Sequence, residues 1–476
     1  MTTTTAAAAT TTHLPTLDTL RRVVAGPVLE PGDPDYAAEI AAWNLITTHR
    51  PPIVVGATCA DDVAATVRFA VRHQLPVGVQ ATGHGASFPV TDGILITTKR
   101  MTDVSVDVQR GTARIGAGAK WAAVIEAAAP YGLAPLSGST SDVGAVGYTL
   151  GGGMGPLGRR YGFSADRVRS VEIVTGDGRL RTITADDDTG LFWGIRGGKG
   201  NLGIVTAIEV DLVLLPRLYG GAIFYDAADA ATVLHAWREW VETVPEDMTS
   251  SVALLRLPDE EFVPEPLRGQ LTLHLRIAYI GRAEEGERLV APLRAAATPI
   301  VDMVRDMPFT EVDSIHLDPV DPTPAWHDGR LLASFPAEAV DALVATAGPD
   351  VDVPLIFAEV RHMGGALGRP AFIPNAVAGR DGAFSLFVLG PAVPGLEQAV
   401  PAAGQRVIDA LAPWHTAGRL FNFLGTTDKG PASVAAAYRP EDAARLQELK
   451  DRFDPHGLFR HGHALRATTT TTTHRS

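Results

Sequence analysis

From Pro51 onward the apolar positions fall into two kinds of pattern. "PPIVVGA" is a short continuous apolar run, as a strand covered on both faces shows, and "LPVGVQ" is a second. Between them, "CADDVAATVRFAVRHQ" repeats Val63, Val67, Ala70 and Val71 at helical spacing, which predicts an amphipathic helix. The unit reads strand, helix, strand, and just beyond it a loop carries His84 between Gly83 and Gly85. "GILITT", "SVDVQRGTARIGAG" and a helix in "AKWAAVIEAAAPYG" follow, then a glycine-dense stretch. "VRSVEIVTGDGRLRTIT" predicts a hairpin, because the Asp-Gly of Gly176-Asp177-Gly178 supplies the positive φ of a tight turn.

A boundary is expected at Pro216 to Gly221. Beyond it, alternating strands ("QLTLHLRIAYI", "LIFAEVRHM", "FSLFVLG") mix with helices such as "AADAATVLHAWREWVETV", as in a separate sheet-plus-helix domain. The last segment, "RPEDAARLQELKDRFDPHGLFRHGHAL", predicts an amphipathic helix stopped at Asp454-Pro455. The divisions are 21–216, 217–425 and 426–466. Thr-rich stretches at 1–20 and 467–476 are expected to be disordered tails.

The chain has 476 residues, too many for one ordinary core, and 46% hydrophobic with 20% charged residues is a globular balance. A net charge of -13 gives no basic footprint, so nucleic acid is excluded as an expected partner. No run approaches a membrane span, and the start lacks the basic and apolar regions of a signal peptide. The single cysteine, Cys59, cannot form an intrachain disulfide. These features together predict a cytoplasmic enzyme.

Two stretches suggest nucleotide chemistry. "GKGNLG", Gly198 to Gly203, spells G-x-G-x-x-G but follows a helix-like "LFWGIR" and opens the strand "IVTAIEV", the reverse of a dinucleotide-binding order. Gly138 to Gly162 holds nine glycines, which let a backbone approach a ligand closely. A plain surface loop is the alternative; the interleaved Val143, Val146, Tyr148, Leu150 and Met154 need something to pack on and favour a cofactor cradle. His456, His461 and His463 come without cysteines or acids, so no metal is expected, and Asp186-Asp187-Asp188 reads as a solvated turn.

"GHGASFPVTDGILI", "GSTSDVGAVGYTLGGGMGPLGRRYGFSADRVRSVEIVTGDGR", "DTGLFWGIRGGKGNLGIVTAIEVDL" and the terminal "NFLG" with "YRPEDAARLQELKDRFDPHGLFR" together resemble the FAD-linked oxidase superfamily of the vanillyl-alcohol oxidase type. Within it the berberine-bridge-enzyme-like branch is most similar. The resemblance runs from about Pro51 to Leu465 and implies an α+β fold. A two-part α/β FAD-binding domain (21–216) is completed by 426–466, and a substrate domain (217–425) carries a large antiparallel sheet covered by helices.

The resemblance also implies the site. His84 matches the histidine joined to the 8α-methyl of FAD, while Gln80 stands at or near a position usually held by Arg; alone, His84 would read as an ordinary loop histidine. Thr82, Gly83 and Gly85 would flank the linkage. Gly138, Ser139, Thr140, Asp142, Gly144, Gly147, Tyr148 and Gly152 would form the glycine-rich cradle, with Gly203, Ile204, Val205 and Asn422 as further FAD contacts. Thr140 occupies the place of a cysteine that gives many relatives a second bond, and a hydroxyl is far less nucleophilic than a thiolate, so His84 is expected to be the only attachment.

Relatives often carry Tyr after the asparagine, and here it is Phe423. If "AEVRHM" is a strand, Glu359 and Arg361 share one face and His362 takes the other. That makes Glu359 a candidate base and Arg361 a candidate anchor, or else the two form a strand salt bridge. The implied activity removes hydride plus proton from an alcohol, amine or activated C–H of a small molecule, in secondary metabolism, with O2 taking the electrons to give H2O2. A dehydrogenase using another acceptor and a non-catalytic flavin binder stay open, as does monomer against homodimer.

Overall fold

The computed structural model describes residues 17–428 and 430–465. Most of the two expected tails lies outside the described residues. Residues 17–20 are an exception to the expected disorder: Asp18–Arg21 is a single helical turn, held because Leu20 is fully buried in the first core.

The first sheet runs in the order Val28–Leu29, Ile53–Gly56, Ile94–Thr97, Val77–Gln80. The last three strands are parallel, and the helix Ala60–His73 makes the crossover. Ile53 to Val55 and Ile94 to Ile96 are buried throughout, as continuous apolar runs in a parallel sheet require. The helix has Cys59 at its N-cap with no side-chain cap bond. Its first turn is tied instead through Asp62, whose carboxylate accepts from the backbone N–H groups of Ala25, Gly26 and Thr58.

The second sheet is antiparallel: Val104–Asp107, Thr112–Gly116, Ile204–Asp211, Val168–Val174, Leu180–Ile183. Its last pair is the predicted hairpin, with Gly178 at φ 70°. The terminal helix Pro440–Phe453 packs Leu446, Leu449 and Phe453 into the same core as the helix Thr189–Gly198. Asp188 is more than a solvated turn, since it caps that second helix by accepting from Leu191 N–H at 2.9 Å.

The third sheet has eight antiparallel strands. Along its main path it runs Val301–Asp302, Arg217–Asp226, Leu271–Tyr279, Met248–Arg256, Phe357–His362, Phe384–Pro391, Ala325–Leu332. Period-two alternation splits it cleanly. Val252, Leu254, Leu273, Leu275, Ile277, Val360, Leu386 and Val388 form one core with residues of the helices Ala230–Trp240, Ala283–Arg294, Ala337–Ala347 and Ala399–Ala410. The opposite face carries Ser251, His274, Arg276, Glu359, Arg361 and Ser385, with Ser251 directly across from both Arg361 and Arg276. Among the described residues no helix is long and apolar enough to cross a membrane.

Candidate active site

The site begins where the first sheet's edge strand ends. In Val77–Gln80, Val79 is 44% exposed, an open apolar surface in a strand whose other positions are buried. A Cβ added at Gly200 would meet only Val79, at 4.0 Å, and one added at Gly147 would meet nothing within 4 Å. Open space therefore borders backbone and one valine here.

Gln80 points the other way. Its Oε1 is 2.8 Å from His49 Nε2, and its Nε2 donates to the carbonyls of Ala41 and Ile40. The expected cofactor contact of the Gln80 side chain is corrected to a structural one: alternation along the strand sends Val79, not Gln80, to the cleft.

Beyond the strand, Gly83 has φ +79°, and a Cβ there would lie 2.6 Å from that of Ala42 and 3.0 Å from Trp43 N, so only glycine fits. The turn delivers His84 onto Trp43, with ring centroids 4.2 Å apart and planes within 14°. His84 Nε2 lies 3.2 Å from Asp142 Oδ2, and the other oxygen of Asp142 receives the Lys120 ammonium. Burial pushes the His84 pKa down, with Asp142 opposing, so the ring is held neutral near pH 7. The carboxylate can only accept, which puts the imidazole proton on Nε2 and the lone pair on Nδ1.

The glycine-rich stretch forms the floor. Gly144 backs onto Thr82, and Gly138, Gly153 and Gly155 all lie against Tyr148. Tyr148 donates to Ser137 O at 3.3 Å and meets Trp121 edge-on; burial holds its phenol protonated, well above the usual value. Thr140 is buried and its hydroxyl accepts from Asp142 N–H at 3.4 Å, while Ser139 is only half-buried. Gly152, at φ +109°, packs on Val377 and Phe163, so its role is in holding the floor. Gly203 abuts Ile173 and Val174 O, and Ile204 and Val205 are buried in two different cores.

Lys199 lies at the centre of this arrangement. It holds a positive φ of 54°, uncommon away from glycine, and its ammonium donates to Asn422 Oδ1 at 3.2 Å. Asn422 in turn donates to Tyr148 O at 2.9 Å. A Cβ at Gly85 would come within 3.5 Å of Lys199 Nζ, which sets the ammonium beside the His84 loop. Burial pushes the Lys199 pKa down to about 8, and among the described residues no carboxylate pairs with it.

Over the floor lies the polar face of the third sheet. A cavity is walled below by Met154, Gly155 and Pro156 and above by Ser251, Arg276, His316 and Arg361. Glu359 sits behind this wall, fully buried. It accepts from Ser251 at 2.7 Å, from Arg276, and from Arg361 Nε at 2.8 Å. Burial would raise its pKa, but Arg276 and Arg361 outweigh it and hold the carboxyl well below the usual range. Such a carboxylate has little affinity for a proton. The expected base is therefore corrected: Glu359 is the counter-ion that positions two arginines. Arg361 stays in the wall and lies over the Phe423 ring at 5.2 Å. His362 also borders the cavity, with its Nε2 2.8 Å from Arg159 Nη1.

The residues fit FAD. A bare cleft wall, a neutral histidine with an unspent nitrogen and a partly buried ammonium lacking an anion suit a flat dinucleotide with a charged pyrophosphate. A family profile described as "FAD binding domain" matches residues 51–184. Over 457 residues the chain is 27% identical to (R)-6-hydroxynicotine oxidase of Paenarthrobacter nicotinovorans, covering 93% of this chain and 97% of that protein. The chain is an FAD-dependent oxidoreductase similar over nearly its whole length to an FAD-linked oxidase.

Its structure superposes on 6-hydroxy-D-nicotine oxidase of Arthrobacter nicotinovorans with TM-score 0.79 and 25% identity, covering 93% and 98% of the two chains. BBE-like 1 of Physcomitrella patens shares the fold, with TM-score 0.79 at 18% identity over 94% and 98%. The two nicotine oxidases act on a small molecule, and this FAD-dependent oxidoreductase shares their fold. Lys199, Trp43, Val79, Arg276 and His316 are absent from the residues expected of the site. The lysine was legible in principle, as the one charged residue inside "GGKGNLG". Arg276 and His316 carry no local signal; folding alone brings them to Arg361.

Proposed function

We propose that the protein is an FAD-dependent oxidase that removes hydride plus proton from a small organic substrate in the cavity between the Tyr148 floor and the Arg361 roof. The observation that carries this reading is the stacking of one cavity over a glycine-lined cleft, with His84, Lys199 and Asn422 along the cleft and two arginines above. When bound, FAD supplies the two-electron acceptor and can pass the electrons to O2, giving H2O2.

Lys199 holds negative charge in the cleft, and Asn422 fixes Lys199. Arg361 orients the substrate. His316 is held neutral by burial and then by Arg276, with its pKa near 3, so like Glu359 it has little affinity for a proton; its Nδ1, unbonded among the described residues, serves as a hydrogen-bond acceptor for the substrate. Tyr148, kept protonated, serves as a hydrogen-bond donor.

A covalent bond through His84 Nδ1 alone is part of the proposal. His84 would hold the cofactor through Nδ1; the attachment would be a two-electron oxidation in which a methyl proton and the Nε2 proton are released and oxygen takes the electron pair. Support comes from the Asp142-oriented, neutral ring and from the threonine at position 140. Acid precipitation tests it: yellow colour should stay with the pellet and move to the supernatant in His84→Ala, and colour in the wild-type supernatant overturns it. Peroxide release during oxygen consumption with a flavin-reducing substrate tests the oxidase reading; a flavin that reduces anaerobically but does not reoxidise in air makes the protein a dehydrogenase.

A further inference from the structure

The wall of the substrate cavity is unbalanced. Arg276 and Arg361 line it, and no carboxylate does. Glu359 stands behind both and is shared between them, so one negative charge answers two positive ones. The other acid nearby, Asp318, acts on His316 and Arg361 only through space, without an ion pair to either, and does not line the cavity.

The polar atoms of these lining residues are also not all paired. Arg276, 3% exposed, spends Nη1 on Glu359 while its Nε is buried with no partner among the described residues. Arg361 spends Nε and Nη2 on Glu359. His316, 8% exposed, leaves Nδ1 unbonded, and Ser251 Oγ is already committed to Glu359. A buried guanidinium with an unmade bond is costly unless a partner arrives to complete it.

We propose that the substrate carries a carboxylate, which docks on Arg361 and Arg276 and thereby turns its oxidisable carbon toward the floor. This rests on the flavin-oxidase reading and narrows its substrate class from alcohols, amines and activated C–H compounds in general to acids. A carboxylate takes up the surplus charge and the guanidinium N–H groups that Glu359 leaves free, whereas an ammonium would lose its water in front of two cations. Arg361 is then a specificity-determining residue, and Glu359 is the positioning residue that keeps both arginines extended toward the cavity.

The test uses the yellow holoenzyme at constant ionic strength and reads the visible flavin spectrum. Acetate and benzoate are titrated as acid probes, benzylamine and benzyl alcohol as controls. The expected result is a saturable spectral shift with an acid, weakened at least tenfold in Arg361→Gln and largely restored in Arg361→Lys, with no shift from benzylamine. Where Arg361→Gln does not retain flavin, Arg276→Gln is read in the same way. Benzylamine binding as tightly as benzoate, acid binding that ignores both substitutions, or silence from both acids overturns the proposal. A protein that is colourless and takes up no FAD overturns the flavin reading with it, and is recognised before any probe is added.

Discussion

His84 Nε2 and Asp142 Oδ2 lie 3.2 Å apart, and this contact decides which imidazole nitrogen is free to react. Removing the acceptor lets the ring rotate and exchange tautomers. Asp142→Ala is therefore expected to slow flavin attachment by about tenfold or more, as loss of a group orienting a reactive histidine commonly does. Asp142→Asn keeps an acceptor and should lose less. Flavin fluorescence of the acid-denatured polypeptide, compared at equal times after adding FAD, reads the difference; equal labelling of all three proteins sinks the argument.

Lys199 makes a second, independent claim on the cofactor. In a His84→Ala background, where binding is reversible, Lys199→Met should weaken FAD binding by roughly 10- to 100-fold, the worth of one hydrogen bond to a charged group. The effect should shrink as salt rises. Its pH course follows from the lysine's pKa near 8: ammonium-dependent binding is fullest below that value and fades above it, though a bound anion moves the fade upward. Fluorescence titration of FAD across pH 6 to 10 checks it, and an unchanged affinity excludes Lys199 from the cleft.

How much of this was legible in the chain depends on distance along it. The strand-helix-strand unit and the hairpin are local patterns, and they fold as their periodicity reads. The His84 loop and the glycine-rich floor are contiguous segments, so a family resemblance could carry them whole. Gln80 was misplaced because the loop was matched by position, while the alternation of Val77–Gln80 already turns Gln80 away from the face Val79 shows. The same period-two rule put Glu359 and Arg361 together correctly. It could not show Arg276, which lies 83 residues earlier in the chain and reaches Glu359 only through strand pairing. Without that second arginine a strand glutamate reads as a free base.

The C-terminal return to the flavin domain hangs on a buried ion pair. Lys450, with no exposed surface, donates to Asp454 at 3.0 Å, Asn201 O at 3.1 Å and Phe459 O at 2.8 Å. Asp454 accepts in turn from Leu458 and Phe459 N–H. Lys450→Met leaves a buried carboxylate without its cation, which should cost about 3–5 kcal/mol. Urea unfolding should show the loss, and protease should cut the variant's C-terminal segment first; a midpoint equal to wild type counts against the clasp.

Glu359→Gln gives the sharpest pH prediction. Its carboxyl is depressed in the folded protein, burial being outweighed by Arg276 and Arg361, so its stabilisation is full above the ordinary carboxylate pKa of about 4.3. It is lost as pH falls from there toward the folded value. The glutamine cannot titrate and leaves two arginines short of a counter-ion, which should cost about 3–5 kcal/mol at pH 7. The gap between wild type and variant should then narrow as pH is lowered from 5 to 3, because only the wild-type unfolded chain takes up a proton at this position while the folded carboxylate stays paired. Urea midpoints measured at pH 7, 5, 4 and 3 follow this directly. A gap constant down to pH 3 means that the folded carboxyl is not depressed, and a variant as stable as wild type at pH 7 removes Glu359 from the role of counter-ion, and with it the reason the two arginines face the cavity.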